Sequence, residues 1–276
     1  MLPSDSSSCG RVVALWRYPV KSMQGEELNA VEVTERGLHG DRAYALVDET
    51  TGKVVSAKNP RKWPTLLDFR AGYEEPPRPG SPIPPVRITL PDGVQVSSQR
   101  SEIHRSLSSA VGREVTLRTP DLDLPTLEIY WPDIQGVPVT RKQTITDQVM
   151  PAGTFLDEAH LHILTTATLD QLREINPQTR FESHRFRPNI VIALPPEEKG
   201  FVENSWVNRT LVIGDVRLRV FRPCPRCVMT TLPQGDLPSD HRVLRTVAES
   251  NHGNAGVRAN VLQPGYLRRG DSVRLE

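Results

Sequence analysis

Two cysteines stand three residues apart in the run Arg222-Pro223-Cys224-Pro225-Arg226-Cys227. Sulfur beside guanidinium groups is the grouping with the most chemistry to offer in this chain. Positive charge favours thiolate over thiol, and thiolate is both the nucleophile and the soft metal ligand. The preceding residues, Val216 to Phe221, alternate apolar and polar as a half-buried strand does. Arg222-Pro223 is expected to end that ladder, because proline has no backbone donor. The spacing leaves three plain readings open. Half a zinc site lacks the other half: Cys9 is remote, and His241 and His252 are too far apart for the usual paired histidines. A redox dithiol opens a helix within a βαβ unit, and no such unit surrounds this one. Two structural thiols would pack as small hydrophobes; the flanking arginines and prolines argue against full burial of both, which leaves one free to be structural.

Three further groupings sit at strand ends. Tyr18-Pro19-Val20-Lys21-Ser22 puts an ammonium and a hydroxyl on a loop after a strand. Gly37-Leu38-His39-Gly40-Asp41-Arg42 is a glycine-bearing loop delivering Arg42. Arg185-Phe186-Arg187-Pro188-Asn189 places Arg187 and Asn189 two residues apart before a buried strand, on one face. Taken singly, such residues are ordinary solvated surface. Brought together they would make a phosphate clamp, with arginine donating bidentately, lysine adding a point charge, and serine and asparagine adding neutral bonds. The histidines show no metal spacing, and there is no nucleophile elbow or Walker loop.

The elements that must position these groups are mostly strands. Arg11 to Trp16 alternates; Ala43 to Asp48 is expected to pair with Lys53 to Ala57; Val86 to Leu90 and Val94 to Val96 flank a Pro-Asp-Gly turn. Ser101 is the expected N-cap of a helix carrying Ile103, Leu107 and Val111, stopped by Gly112. Glu74 to Pro85 is proline-rich and reads as an exposed loop. Pro120 to Pro138 is irregular, which sets a boundary between parts 1–120 and 121–276. In the second part, strands are expected at Leu161 to Leu164, Asn189 to Leu194 and Leu211 to Val216, the last a hairpin turning at Gly-Asp. A helix from Thr166 ends at Asn176-Pro177, and another follows Asp240. Tyr266 to Leu275 reads as a strand pair turning at Gly270-Asp271. The fold class is mostly β with a few helices, barrel-like in both parts, with a cleft between them.

Composition narrows the function. The 276 residues carry 34 basic and 33 acidic side chains, a net charge of +1, which gives no overall pull toward nucleic acid or a membrane. Three cysteines make no disulfide framework and fit a reducing, cytoplasmic setting. The polar start, Met1 to Gly10, has no apolar run, and no stretch approaches the ~20 residues a bilayer requires.

Together, Tyr18-Pro19-Val20-Lys21-Ser22, Gly40-Asp41-Arg42, Phe186-Arg187-Pro188-Asn189-Ile190 and Cys224-Pro225-Arg226-Cys227 resemble the MOSC family. Its members join a MOSC-associated N-terminal β-barrel to a MOSC domain, and the resemblance is to the branch of the amidoxime-reducing components. It implies a molybdenum-molybdopterin cofactor with Cys227 as protein ligand to the metal. Lys21, Ser22, Arg42, Arg187 and Asn189 would hold phosphate and pterin, Arg226 would adjust the sulfur, and Asp157 would be the acidic residue beside the cofactor. The implied activity is reduction of small N-hydroxylated or N-oxygenated compounds, with electrons from a separate donor, a ferredoxin or flavin reductase. The alternative is a non-catalytic carrier of the cofactor or of a persulfide on Cys227. No iron–sulfur cluster is expected, since such clusters normally take four thiolates, and no pyridoxal phosphate. This chain departs from the branch at Glu158 and Ala159, where hydroxyl residues are expected, and at Pro225 in place of serine.

Overall fold

The structure is a computed structural model that describes residues 9–78, 80–133 and 143–276; most of the polar start and part of the 120–138 boundary segment lie outside them. Its centre is a closed barrel of seven strands: β1 (Gly10–Arg17), β2 (Leu161–Thr165), β3 (Ile190–Ala193), β4 (Thr210–Ile213), β5 (Val216–Pro225), β6 (Asn254–Gln263) and β7 (Ser272–Leu275). The order is β3-β2-β6-β5-β4-β7-β1, and β1 closes the ring by pairing antiparallel with β3. Closure removes free sheet edges. Only β2 and β3 run parallel, joined through α2 (Thr166–Ile175). The barrel's interior is filled by the inward residues of the alternating strands, among them Val12, Leu15, Ile163, Ile190, Leu218 and Val257.

The first strand of the chain thus belongs to a barrel otherwise built after residue 160. Ala30–Thr34 likewise pairs with Gly265–Arg268. Sheets therefore cross the sequence boundary at 120/121. The first part adds a second core of its own, with Val20, Met23, Trp63, Phe69, Ile88 and Leu107, against which Met229 and the half-buried Cys227 also pack.

Most expected elements appear, with four corrections. Pro223 does not end β5; the strand continues to Pro225 through register shifts, and a bulge is where a missing N–H does no harm. Ala45–Asp48 takes its ladder from Val115–Arg118, keeping only a bridge from Val47 to Val54. Gly265–Arg268 and Ser272–Leu275 do not pair with each other, because each completes a different sheet. Ser101 is not the N-cap of α1 (Ile103–Val111); Glu102 is, and the Ser101 hydroxyl donates to its carboxylate at 3.1 Å. Gly112 does stop that helix, at φ 71°. Thr126–Tyr130, inside the irregular segment, pairs antiparallel with Ile145–Val149, which lies beyond it.

Glu203 is fully buried, and its carboxylate accepts from Thr165 Oγ1 at 2.7 Å beside the N-terminus of α2. Burial raises its pKa above the ordinary carboxylate value, against the opposing hydroxyl bonds. A raised acid pKa gives stability that is full below the unfolded-state value and is lost as pH rises through the folded-state value. Glu203→Gln, which cannot ionise, is therefore expected to melt at or above the wild-type temperature at pH 7. The gap should close below pH 4. Thermal denaturation across that range checks it; a large loss at pH 7 contradicts it.

Candidate functional site

A cleft of about 520 Å³ opens where β1, β2, β3 and β5 leave the barrel toward the first part. Its lining includes Lys21, Ser22, Arg42, Asp157, Arg187, Asn189, Arg226 and Cys227, so every site residue expected from the sequence reaches this one cavity. Strand pairing does the gathering. The β1–β3 ladder brings the segments after Arg17 and before Ile190 side by side, and Tyr18 accepts at its carbonyl from Arg42 N, at 2.8 Å.

Three of these residues share a backbone feature. Ser22, Arg42 and Arg187 have φ of 64°, 49° and 53°, in the left-handed region that side chains usually avoid. Among the described residues only Asn208 and His252 are the other non-glycines there. Each such residue costs on the order of 1 kcal/mol, and such strain clusters at functional sites. Arg187 adopts it as the residue ending α3 (Ser183–Phe186).

The two guanidiniums flank one ring. Arg187 lies 4.1 Å and Arg42 4.4 Å from the Tyr18 centroid. Arg187 is 8% exposed and gives Nη1 to Met23 O at 2.7 Å. Burial pushes its pKa down to about 10, which leaves it charged at neutral pH. Arg42 pairs with Asp41. Both keep further N–H groups for a ligand.

Asp41 is the residue that sequence reading quoted but gave no role. Its side chain is 2% exposed. Oδ1 accepts from Tyr18 N at 2.8 Å, and Oδ2 accepts from Asn189 Nδ2 at 3.0 Å and from Arg42. One carboxylate thus ties the three motif loops together. Asn189 is correspondingly committed: Nδ2 also donates to Trp16 O at 3.2 Å, and Oδ1 accepts from His162 N at 3.1 Å. It braces the cleft wall.

Lys21, 7% exposed, donates to Phe155 O and to Asp157 Oδ1, each at 2.7 Å. Lys58 holds the other oxygen of Asp157 at 2.8 Å. Burial alone would raise the Asp157 carboxyl, but the two ammoniums outweigh it and keep the group well below the usual carboxylate range. Asp157 is therefore an anion with both oxygens engaged. Burial pushes Lys21 down to about 8, against the attraction of Asp157. Its charge, present below that value, is lost above it. Affinity of the metal-free chain for pyrophosphate is expected to fall as pH rises from 7 to 9, by at most about tenfold per unit above the pKa. Lys21→Met should bind more weakly and lose that step. Calorimetric titration reads both, and an unchanged pH profile in the variant contradicts the role.

The arginine beside the cysteines points elsewhere than expected. Arg226 Nη1 donates to Cys224 Sγ at 3.0 Å and Nη2 to Phe186 O at 2.6 Å, while Nε is buried without a partner among the described residues. Arg222 pairs with Glu158, which Arg258 also holds. The charge meant for Cys227 goes to Cys224. Burial alone would raise the Cys224 thiol, but His162, Arg226 and Arg258 hold it well below its ordinary value. Glu158 is neutralised by its two arginines rather than facing the lysines. Gly256 makes room for this arrangement, since a Cβ there would stand 2.4 Å from His162 Nε2. Cys227 lines the cleft at the start of a short 3-10 turn, Val228–Thr231, with extended backbone. Among the described residues no group of three or more His, Cys, Asp and Glu side chains could hold a metal ion unaided.

A closed barrel carrying a cation-lined, thiol-bearing cleft agrees with the family comparison. Residues 9–118 match the MOSC N-terminal beta barrel domain and residues 151–274 match the MOSC domain, and the chain belongs to the MOSC family. It is similar to mitochondrial amidoxime reducing component 2 of Rattus norvegicus, 27% identical over 241 residues, covering 81% of this chain and 67% of that one. The corresponding component 1 of Homo sapiens is 24% identical over 237 residues, with 81% and 66% covered. The chain thus spans about two thirds of the length of these relatives. A molybdenum cofactor sulfurase of Chaetomium globosum is 32% identical over 146 residues, 49% of this chain and 18% of the relative. The solved YUAD protein of Bacillus subtilis superposes with a TM-score of 0.48 at 10% identity, covering 96% of this chain and 94% of that one. No helix among the described residues is long and apolar enough to cross a membrane.

Proposed function

We propose that the cleft holds a molybdenum-pterin cofactor and that the chain reduces small N-oxygenated compounds with electrons from a separate donor protein. The observation that carries this reading is the convergence of Cys227 with Lys21, Arg42 and Arg187 on one cavity. The donor set suits the group. A phosphate needs charged and neutral donors, and the buried ammonium and two guanidiniums with spare N–H groups offer them. Molybdenum in a pterin dithiolene takes a soft thiolate, and Cys227 is the cleft cysteine that no arginine claims among the described residues.

When bound, the cofactor would supply the two-electron oxygen-removal chemistry. The chain's own residues bind and orient. Lys21, Ser22 and Arg42 would take the phosphate, and Arg187 the pterin side. Asn189 and Asp41 fix those loops, and Asp157 pairs with Lys21 and Lys58. The Arg226–Phe186 bond, at 2.6 Å, braces the cysteine segment against the residue before Arg187.

Family relatives named as amidoxime-reducing favour the enzyme over a carrier. Turnover of benzamidoxime with an artificial electron donor tests it on cofactor-loaded protein. The proposal expects benzamidine with multiple turnovers per molybdenum. Loaded protein that gives none, yet hands its cofactor to an apo-enzyme, contradicts it in favour of the carrier.

A further inference from the structure

A second and larger cleft, about 850 Å³, lies behind the candidate site, and Arg187 is the one described side chain that lines both. Its size is ordinary for a small-molecule site. One wall is the sheet of Arg70–Tyr73 against Val86–Thr89. Arg70 faces Thr89 and Gly72 faces Arg87, so both arginines project from the same face, on either side of Gly72, near which stands the Glu26 carboxylate that Arg17 holds. Trp16, Tyr18 and, from the same strand as Arg70, Tyr73 add aromatic rings to the lining.

The charges in this cleft do not cancel. Each of its acids is already paired: Glu26 with Arg17 at 2.9 Å, Glu27 with Arg269 at 3.6 Å, and Asp236 with Arg180 at 2.9 Å. Its arginines are not. Arg87 has no partner among the described residues, Arg70 gives one N–H to Gln24 at 3.3 Å, and Arg187 gives one to Met23. The Trp16 indole N–H on the wall is buried and also unpartnered. Three guanidiniums with spare donors beside flat rings match a ligand that is anionic at one end and planar at the other.

We propose that this cleft binds a nucleoside phosphate, with its phosphate on Arg70, Arg87 and Arg187 and its base against Trp16 and Tyr73. Two sources share that chemistry. One is a free nucleotide; the other is a nucleotide joined through pyrophosphate to the pterin phosphate, with Arg187 spanning the junction. The second source rests on the cofactor reading above, whereas the first does not.

Calorimetry on the full metal-free chain with AMP, GMP and CMP tests the first source, using adenosine and inorganic phosphate as controls. Mass analysis of small molecules released from protein made in a cofactor-producing host tests the second. Free-nucleotide binding at least tenfold tighter than either control, and weakened at least tenfold by Arg87→Ala, supports the proposal. So does a nucleoside monophosphate released in step with molybdenum. Arg87 is exposed, so that variant is expected to fold, and an unchanged melting curve confirms it. Inorganic phosphate binding as tightly as nucleotide, nucleotide binding indifferent to Arg87→Ala, or no nucleotide in either arm overturns it. Molybdenum and pterin without nucleotide in either arm sink this inference alone. Nucleotide binding without molybdenum in replete protein sinks only the cofactor reading.

Discussion

Cys227→Ser is expected to abolish molybdenum retention and all metal-dependent turnover. An alcohol oxygen is a harder and far less acidic ligand than a thiol, so it does not serve the soft site. Losing even a partner of a metal ligand costs about 10–100-fold, and the ligand itself should cost more than about 100-fold. The fold should survive, because Cys227 lies half-buried at the edge of the first part's core. Cys224→Ser is the informative control. Its hydroxyl can still accept from Arg226, which stands 3.0 Å from the sulfur, so the strut to Phe186 persists although the anion is lost. Molybdenum content of the two variants, normalised to folded protein, reads the difference. Equal loss in both would mean the sulfurs act as a pair and would contradict a single ligand at 227.

Asp41→Ala should be the most damaging change away from the cysteines. It strips the half-buried Arg42 of its counter-charge and leaves Tyr18 N and Asn189 Nδ2 without that acceptor. Removing one member of a buried ion pair costs about 3–5 kcal/mol. For a chain of this size that is a melting-point drop of roughly 10 °C. Phosphate affinity should fall with it, since Arg42 and Arg187 depend on those loops for their left-handed backbones. Asp41→Asn should recover part of the stability, because its carbonyl can still accept one of the bonds. Thermal melts and pyrophosphate titration of both variants check this. An alanine variant as stable as wild type would show that Asp41 holds nothing together.

Much of the fold was legible in the residues. The alternation in Arg11 to Trp16 and the stop at Gly112 each follow from local rules, and both elements are present. What failed was pairing and detail. Gly265–Arg268 and Ser272–Leu275 read as a hairpin because they are adjacent, yet the first pairs with the strand of Val33 and the second sits between Thr210–Ile213 and the strand of Gly10 at the far end of the chain. Pro223 reads as a breaker until the bulges that accommodate it are seen. The candidate site residues were legible by type and by family resemblance, but their convergence was not. Lys21 and Asp157 meet across 136 positions, and Arg187 meets Met23 across 164. The direction of Arg226 was misjudged for a physical reason: sequence proximity to both cysteines does not say which sulfur a long side chain reaches. Asp41 stands in the Gly40-Asp41-Arg42 run, but its bracing role has no local signal, since Tyr18 and Asn189 reach it from two other loops.

The proposed function requires this cleft to hold a pterin-bound molybdenum on one cysteine sulfur and a cationic clamp. The direct measurement is elemental molybdenum together with oxidised-pterin fluorescence on protein purified from a molybdenum-replete host able to make the cofactor. Both are expected, at about one each per chain, with the pterin lost in Arg187→Ala and the metal lost in Cys227→Ser. Protein that is folded yet contains neither molybdenum nor pterin would contradict it.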